Sequence, residues 1–149
     1  LILHGFLRGF IIPHPLETKR GRRVFCSNRH KRKGCGRTFS ILWADLIKNI
    51  PATTLQLGKF LQNILSGKKI KHAFDMSFER YSVKSRYSLY HKFLKRQTVI
   101  RALLSKMTKP PRTDEKNPLA QTMLHMDACF KDDFCPFEAF QRHFQTSIL

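Results

Sequence analysis

Nine of the nineteen residues from position 19 to 37 are Lys or Arg, and none is acidic. Charge at that density cannot enter an apolar core without partners, so the stretch must stay at a surface whatever the rest of the chain does. Inside it lie Cys26 and Cys35, with Phe25 and Phe39 just outside the loop they bracket. Residues 22–26 and 37–41 read as short strands flanking that loop. Residues 1–12 alternate loosely and read as one or two more strands, turning at Gly5 or Gly9, with Pro13-His14-Pro15 as a loop. Together they make a small antiparallel ribbon, too small to bury a core of its own. Such a unit needs a metal or a neighbouring domain to hold it.

From residue 41 the apolar period changes from strand-like to helical. Ile41, Leu42, Leu46 and Ile47 follow a Ser40 cap and predict a first helix that Pro51 ends. A second is expected over 54–65, with Leu57, Phe60, Leu61 and Ile64 on one face and Gly67 as its stop. A third, over 68–76, buries Ile70, Ala73 and Phe74. Ser82 caps a long helix whose core face is Val83, Tyr87, Tyr90 and Leu94, continuing through Ile100, Leu103, Leu104 and Met107 with a break near Gln97. The segment 109–114 is a Pro-containing linker. Beyond it residues 119–130 read as helical, and Pro136 opens a last helix bearing Phe137, Phe140 and Phe144.

The 149 residues carry 28 Lys and Arg against 10 Asp and Glu, a formal net charge of +18. Residues 1–109 hold 24 of the basic and 4 of the acidic side chains, so the excess lies in the first two thirds. That excess implies a polyanionic partner. The four cysteines fall as two distant pairs, Cys26 with Cys35 and Cys129 with Cys135, which is not a disulfide scaffold. The apolar opening segment is too short and too interrupted to span a bilayer, so no membrane partner is expected and cytoplasm is the default. The chain opens on Leu1 rather than Met, which reads as a fragment or a clipped form.

Thiolates are soft ligands suited to zinc, and a short Gly-containing loop lets two of them converge on one ion. Cys26 and Cys35 are therefore candidate zinc ligands, one knuckle of a tetrahedral site whose other half would precede Leu1. His4, His14 and His30 have no convincing spacing to complete it, and two such cysteines can equally be small buried hydrophobes. The basic residues Arg22, Arg23, Arg29, Lys31, Arg32, Lys33 and Arg37 would grip phosphates, a contact that positions rather than reads sequence. The helices near 54–65, 68–76 and 82–94 are ordered like a helix-turn-helix, in which Lys84, Arg86, His91 and Lys92 would probe a DNA groove. An ordinary basic helical bundle has the same pattern.

In the tail, Asp127, Asp132, Asp133 and Glu138 resemble a metal-binding carboxylate set, but forty mostly helical residues cannot build the sheet that such nucleases use. They read as a solvated acidic face. Cys129 and Cys135, among Phe130, Phe134, Phe137, Phe140 and Phe144, read as core, and the lone His72, His125 and His143 are given no role. A phenylalanine-rich hairpin this short is expected to need a partner, which suggests a homodimer through the tail.

The run Arg-Val-Phe-Cys-Ser-Asn-Arg-His-Lys-Arg-Lys-Gly-Cys-Gly-Arg-Thr-Phe-Ser at 23–40 resembles the second knuckle of the zinc ribbon in bacterial insertion-sequence transposases and related transposase-like proteins. The helical stretch behind it is similar to their helix-turn-helix region. The resemblance covers about residues 1–107 and implies a protein of mobile elements that binds double-stranded DNA, with Cys26 and Cys35 as zinc ligands. The first Cys-x-x-Cys knuckle and the RNase-H-like catalytic domain of those proteins are not in this sequence. The expected fold is mainly α with a small N-terminal antiparallel β ribbon: a zinc-ribbon-like basic unit over 1–42, a helix-turn-helix-like helical domain over 43–109, and a linker with a helical tail over 110–149. The expected function is DNA binding without catalysis. The alternatives are an RNA- or ribosome-associated ribbon protein, or an active transposase or nuclease using the tail carboxylates.

Overall fold

A computed structural model describes residues 1–11, 16–31, 33–78 and 85–149. Its N-terminal part is a three-stranded antiparallel sheet in the order β1 (Ile2–Gly9), β2 (Thr18–Phe25), β3 (Thr38–Leu42). Five helices follow among the described residues: α1 (Thr54–Leu65), α2 (Ile70–Ser77), α3 (Ser85–Leu104), α4 (Pro118–Cys129) and α5 (Pro136–Phe144). None is long and apolar enough to cross a membrane. The expected loop at Pro13-His14-Pro15, the Ser82 cap and Val83 lie outside the described residues.

The sheet is the small antiparallel unit expected, with one strand rather than two before residue 12. Gly5, at φ +113°, interrupts β1 between the pairs Leu3–Val24 and Phe6–Arg22, so β1 continues through a bulge there instead of turning. A second irregularity lies where Leu7 pairs with Gly21 but Arg8 with Lys19, which leaves Arg20 as the extra residue. That position lets one guanidinium nitrogen reach out of the sheet. Arg20 Nη2 donates to the carbonyls of Ile47 (2.9 Å) and Ile50 (2.6 Å), tying the sheet to the helical part.

The helix expected over 41–50 is not there. Ile41 and Leu42 belong to β3, and 44–50 is a chain of turns. The same apolar spacing served two structures: Leu46 and Ile47 are buried, Ile41 is half exposed as a strand residue. Buried Gln141 stands in for the missing helical hydrogen bonds. Its Nε2 donates to the carbonyls of Ala44 (2.6 Å) and Leu46 (2.9 Å), and its Oε1 accepts from the Ile148 amide (2.9 Å).

The other helix ends follow local chemistry. Thr53 caps α1 in a reciprocal capping box with Gln56, and Gly67, at φ +87°, lets the chain leave it. Asn117 caps α4 through the Leu119 amide (2.9 Å), with Pro118 in its first turn. α5 has Glu138 in its first turn and Arg142 in its last, each the sign the helix dipole favours.

One buried cluster runs from Ile47 to Ile148 and draws on all five helices. At its centre Phe60 meets Phe74, Phe78 and Tyr90 edge-on, at centroid separations of 5.7, 5.7 and 6.5 Å. Phe137 of α5 packs on Phe93 of α3 and over Gly58 of α1. α3 runs unbroken past Gln97, and its buried face differs from the expected one. Leu89, Phe93, Ile100 and Leu104 are buried, together with Arg86 and Gln97, while Tyr87 is exposed. Phe134, expected in the tail core, is 90 % exposed in the turn between α4 and α5. Cys135 is buried as expected, and Cys129 is half-buried against the same cluster.

Candidate nucleic-acid interface

The loop from Cys26 to Arg37 closes on the end of the β2–β3 hairpin through its own backbone. Cys26 N–H donates to the Arg37 carbonyl and Gly36 N–H to the Cys26 carbonyl, both at 2.8 Å. His30 and Lys31 adopt left-handed φ values of +53° and +63°, a conformation that non-glycine residues hold only when their surroundings impose it. At Gly34 a Cβ would stand 2.0 Å from the Ser27 carbonyl oxygen, so the two sides of the loop can approach this closely only with glycine there.

The two thiols lie together. Cys35 N–H donates to Cys26 Sγ at 3.3 Å. That amide, followed by a thiol–thiol hydrogen bond from Cys35, favours the thiolate and holds the Cys26 thiol below its ordinary value. Among the described residues no group of three or more His, Cys, Asp or Glu side chains is placed to share a metal ion. Cys26 and Cys35 thus offer two of the four donors that a structural zinc takes, and the described residues alone do not fit the ion.

The phosphate-gripping candidates are displayed but not in one plane. Arg29, Lys31, Lys33 and Arg37 are exposed on and beside the loop, with the Arg29 guanidinium 6.0 Å from the Phe25 ring centre. Arg22 and Arg23 are exposed too, but as neighbours on a strand they point to opposite faces of the sheet. Arg32 lies outside the described residues. Among the described residues, the ion pairs join Arg142 to Asp133 (2.6 Å) and Glu138 (3.7 Å), and no carboxylate neutralises a cation of the sheet or loop.

The groove-probing candidates fare differently. His91 and Lys92 are exposed on α3, as expected. Arg86 is 7 % exposed on the core side of that helix, so it does not face a groove; the stripe Arg86, Leu89, Phe93, Gln97 sets the inward face instead. Lys84 lies outside the described residues. No hydrogen bond among the described residues links His91 or Lys92 to the cysteine loop.

The tail carboxylates do not converge on a metal. Asp133 and Glu138 are engaged by Arg142, and Asp127 and Asp132 are exposed, with partial burial raising the Asp127 carboxyl above its ordinary value. His125 is buried, its Nε2 3.0 Å from the Thr108 carbonyl. An open cleft of about 730 Å³ lies along β3, lined in part by Trp43, Lys48, Arg96 and Arg142. Its arginines are already engaged, Arg96 with the Ser147 carbonyl (3.1 Å) and Arg142 with Asp133.

The sheet also presents an apolar surface that no motif in the sequence marks. Leu3, Phe6, Phe39 and Ile41 are all at least 43 % exposed. Lys19 Nζ stands 4.3 Å and Arg22 Cζ 5.4 Å from the centre of the Phe6 ring. The signal was present in the alternation Thr38, Phe39, Ser40, Ile41, which sends one apolar set to one face.

No protein-family model, no curated protein and no solved structure matches this chain.

Proposed function

We propose that this protein binds double-stranded DNA through the basic loop of its N-terminal sheet and does so without catalysis of its own, in the manner of the DNA-contacting part of a transposase-like protein. The observation that carries the reading is the set of exposed cations Arg29, Lys31, Lys33 and Arg37 on a loop closed by its own backbone hydrogen bonds, with no carboxylate among the described residues to neutralise them. Fixed, unpaired cations release counterions from a phosphate backbone at less entropic cost than a floppy arm would. Lys92 adds a cation from the helical part, with exposed His91 beside it. Zinc is not required for this contact; a zinc ion here would need donors beyond Cys26 and Cys35.

The test is duplex affinity over a salt series for the doubly reversed variant Arg29→Glu with Lys33→Glu. Affinity should fall at least about tenfold near 0.1 M salt, and the log–log salt slope should become shallower by about 2, since each lost phosphate contact removes roughly one counterion. An unchanged affinity and slope would exclude the loop as the contact.

A further inference from the structure

One face of the sheet is apolar, aromatic and cationic at once. Directly paired residues of neighbouring strands share a face. The register therefore puts Phe6, Arg22 and Ile41 in one row and Leu3, Val24 and Phe39 in the next, with Arg8 and Lys19 as a further pair on the Phe6 side of the bulge. Phe6, Phe39 and Ile41 are 43, 46 and 50 % exposed, and no residue of that face belongs to the buried cluster of the helical part. Solvated strands normally carry polar side chains outward, so this face is built for contact.

Its charge limits what can cover it. Apart from Glu17, no acid occurs in residues 1–43, which hold ten Lys and Arg. A second copy laid face to face would set Arg8, Lys19 and Arg22 against themselves. A ligand with flat apolar surfaces and regularly spaced anions satisfies both halves of the surface, and unpaired nucleotides are that ligand. In a duplex the base faces are hidden by stacking on one another, so the aromatic half of the surface would gain nothing from one.

We propose that the sheet face bearing Phe6, Arg22, Phe39 and Ile41 is a stacking platform for the bases of single-stranded DNA. Phe39 has no ring or cation partner among the described residues and offers its face to one base. The Phe6 ring has Lys19 and Arg22 over it, so a second base would stack on the Arg22 guanidinium and its phosphate would meet Lys19. Two strand spacings and a two-residue step separate Phe6 from Phe39 by about 12 Å, so they hold separate bases. The two rows carry no side-chain acceptor for the proton of a 2′-hydroxyl, and their one polar side chain, Arg22, only donates, which favours DNA over RNA.

The inference rests on the nucleic-acid reading but uses a different surface from the duplex contact, so the two fail separately. Binding of a dT 12-mer, a U 12-mer and a mixed-sequence duplex is measured by anisotropy at one salt concentration for wild type, Phe39→Leu and Phe39→Trp. Phe39→Leu should weaken dT binding about tenfold and leave duplex binding unchanged, and Phe39→Trp should keep dT binding at or above wild type. Retention by Trp excludes damage to the sheet as the cause. Unchanged dT binding in Phe39→Leu overturns the platform even if the duplex contact stands. Phe39-dependent dT binding with no duplex binding leaves the platform standing and removes the duplex reading. Tighter binding to U than to dT overturns the assignment to DNA. A concentration-dependent dimer that Phe39→Leu dissociates, or Phe39-dependent binding to anionic vesicles without dT binding, gives the face to another partner and overturns the proposal.

Discussion

Cys26 shows how much of the loop's chemistry comes from one backbone donor. The Cys35 amide placed on its sulfur, and the thiol beside it, stabilise the thiolate, so the folded thiol ionises below its unfolded value. A depressed acid stabilises the fold at pH above the unfolded thiol value and loses that contribution as pH falls through the folded one. The loop should therefore tighten as pH rises through that window. The same ionisation makes Cys26 more reactive than Cys135, which is buried and slow to alkylate in the folded state. Brief iodoacetamide treatment near pH 7 with peptide mapping should label Cys26 well ahead of Cys135, with a rate–pH midpoint below that of a free thiol. Equal labelling of the two, or a midpoint at the ordinary value, would mean that the amide does not reach the sulfur in solution. That Cys26 and Cys35 pair across a loop was legible from their spacing and the glycines between them. The bond that tunes one of them depends on left-handed backbone at His30 and Lys31, which no residue preference announces.

At the scale of elements, the sheet depends on Arg20 for its attachment. A cation from the charge run bonds two carbonyls of the 47–50 turn, a partly buried and charge-assisted contact of the stronger kind. Arg20→Met keeps the stem and leaves both carbonyls without the donor, and should lower stability by about 2 kcal/mol in urea titration. Hydrogen exchange should quicken in β2 and β3 while α1 and α3 keep their protection; equal loss everywhere would show that the sheet is integral to the helical core. Nothing in the sequence separates Arg20 from Arg22 and Arg23, because its role comes from a bulge. The helices with strong punctuation were legible: α1 between its Thr53 capping box and Gly67, α5 from Pro136. The faces of α3 were not, because Tyr87, Leu94 and Val99 put apolar side chains all round it and Arg86 and Gln97 are buried in its inward stripe. The 41–50 segment misled for a related reason: over so few residues, apolar spacing does not separate a strand plus turns from a helix.

For the whole molecule, the tail closes the core. Of the 21 side chains in the buried cluster, nine come from residues 119–148, with Phe137, Phe140 and Met126 among the most deeply buried. Its Phe137 packs against α1 and α3 of the same chain, while Phe134 stays exposed. Burying each large apolar side chain contributes about 1.5–3 kcal/mol, whereas a domain retains only about 5–15 kcal/mol net. Removing residues 110–149 therefore takes away more than the molecule has in reserve. It also uncovers Gly58, where the Phe137 ring lies 3.3 Å from the position a Cβ would take. The truncated chain should show no cooperative thermal transition by circular dichroism and should bind a hydrophobic dye. Phe137→Ala in the full chain should still melt cooperatively but lose about 3–5 kcal/mol. A cooperative transition in the truncated chain would make the tail an accessory to a core that folds without it.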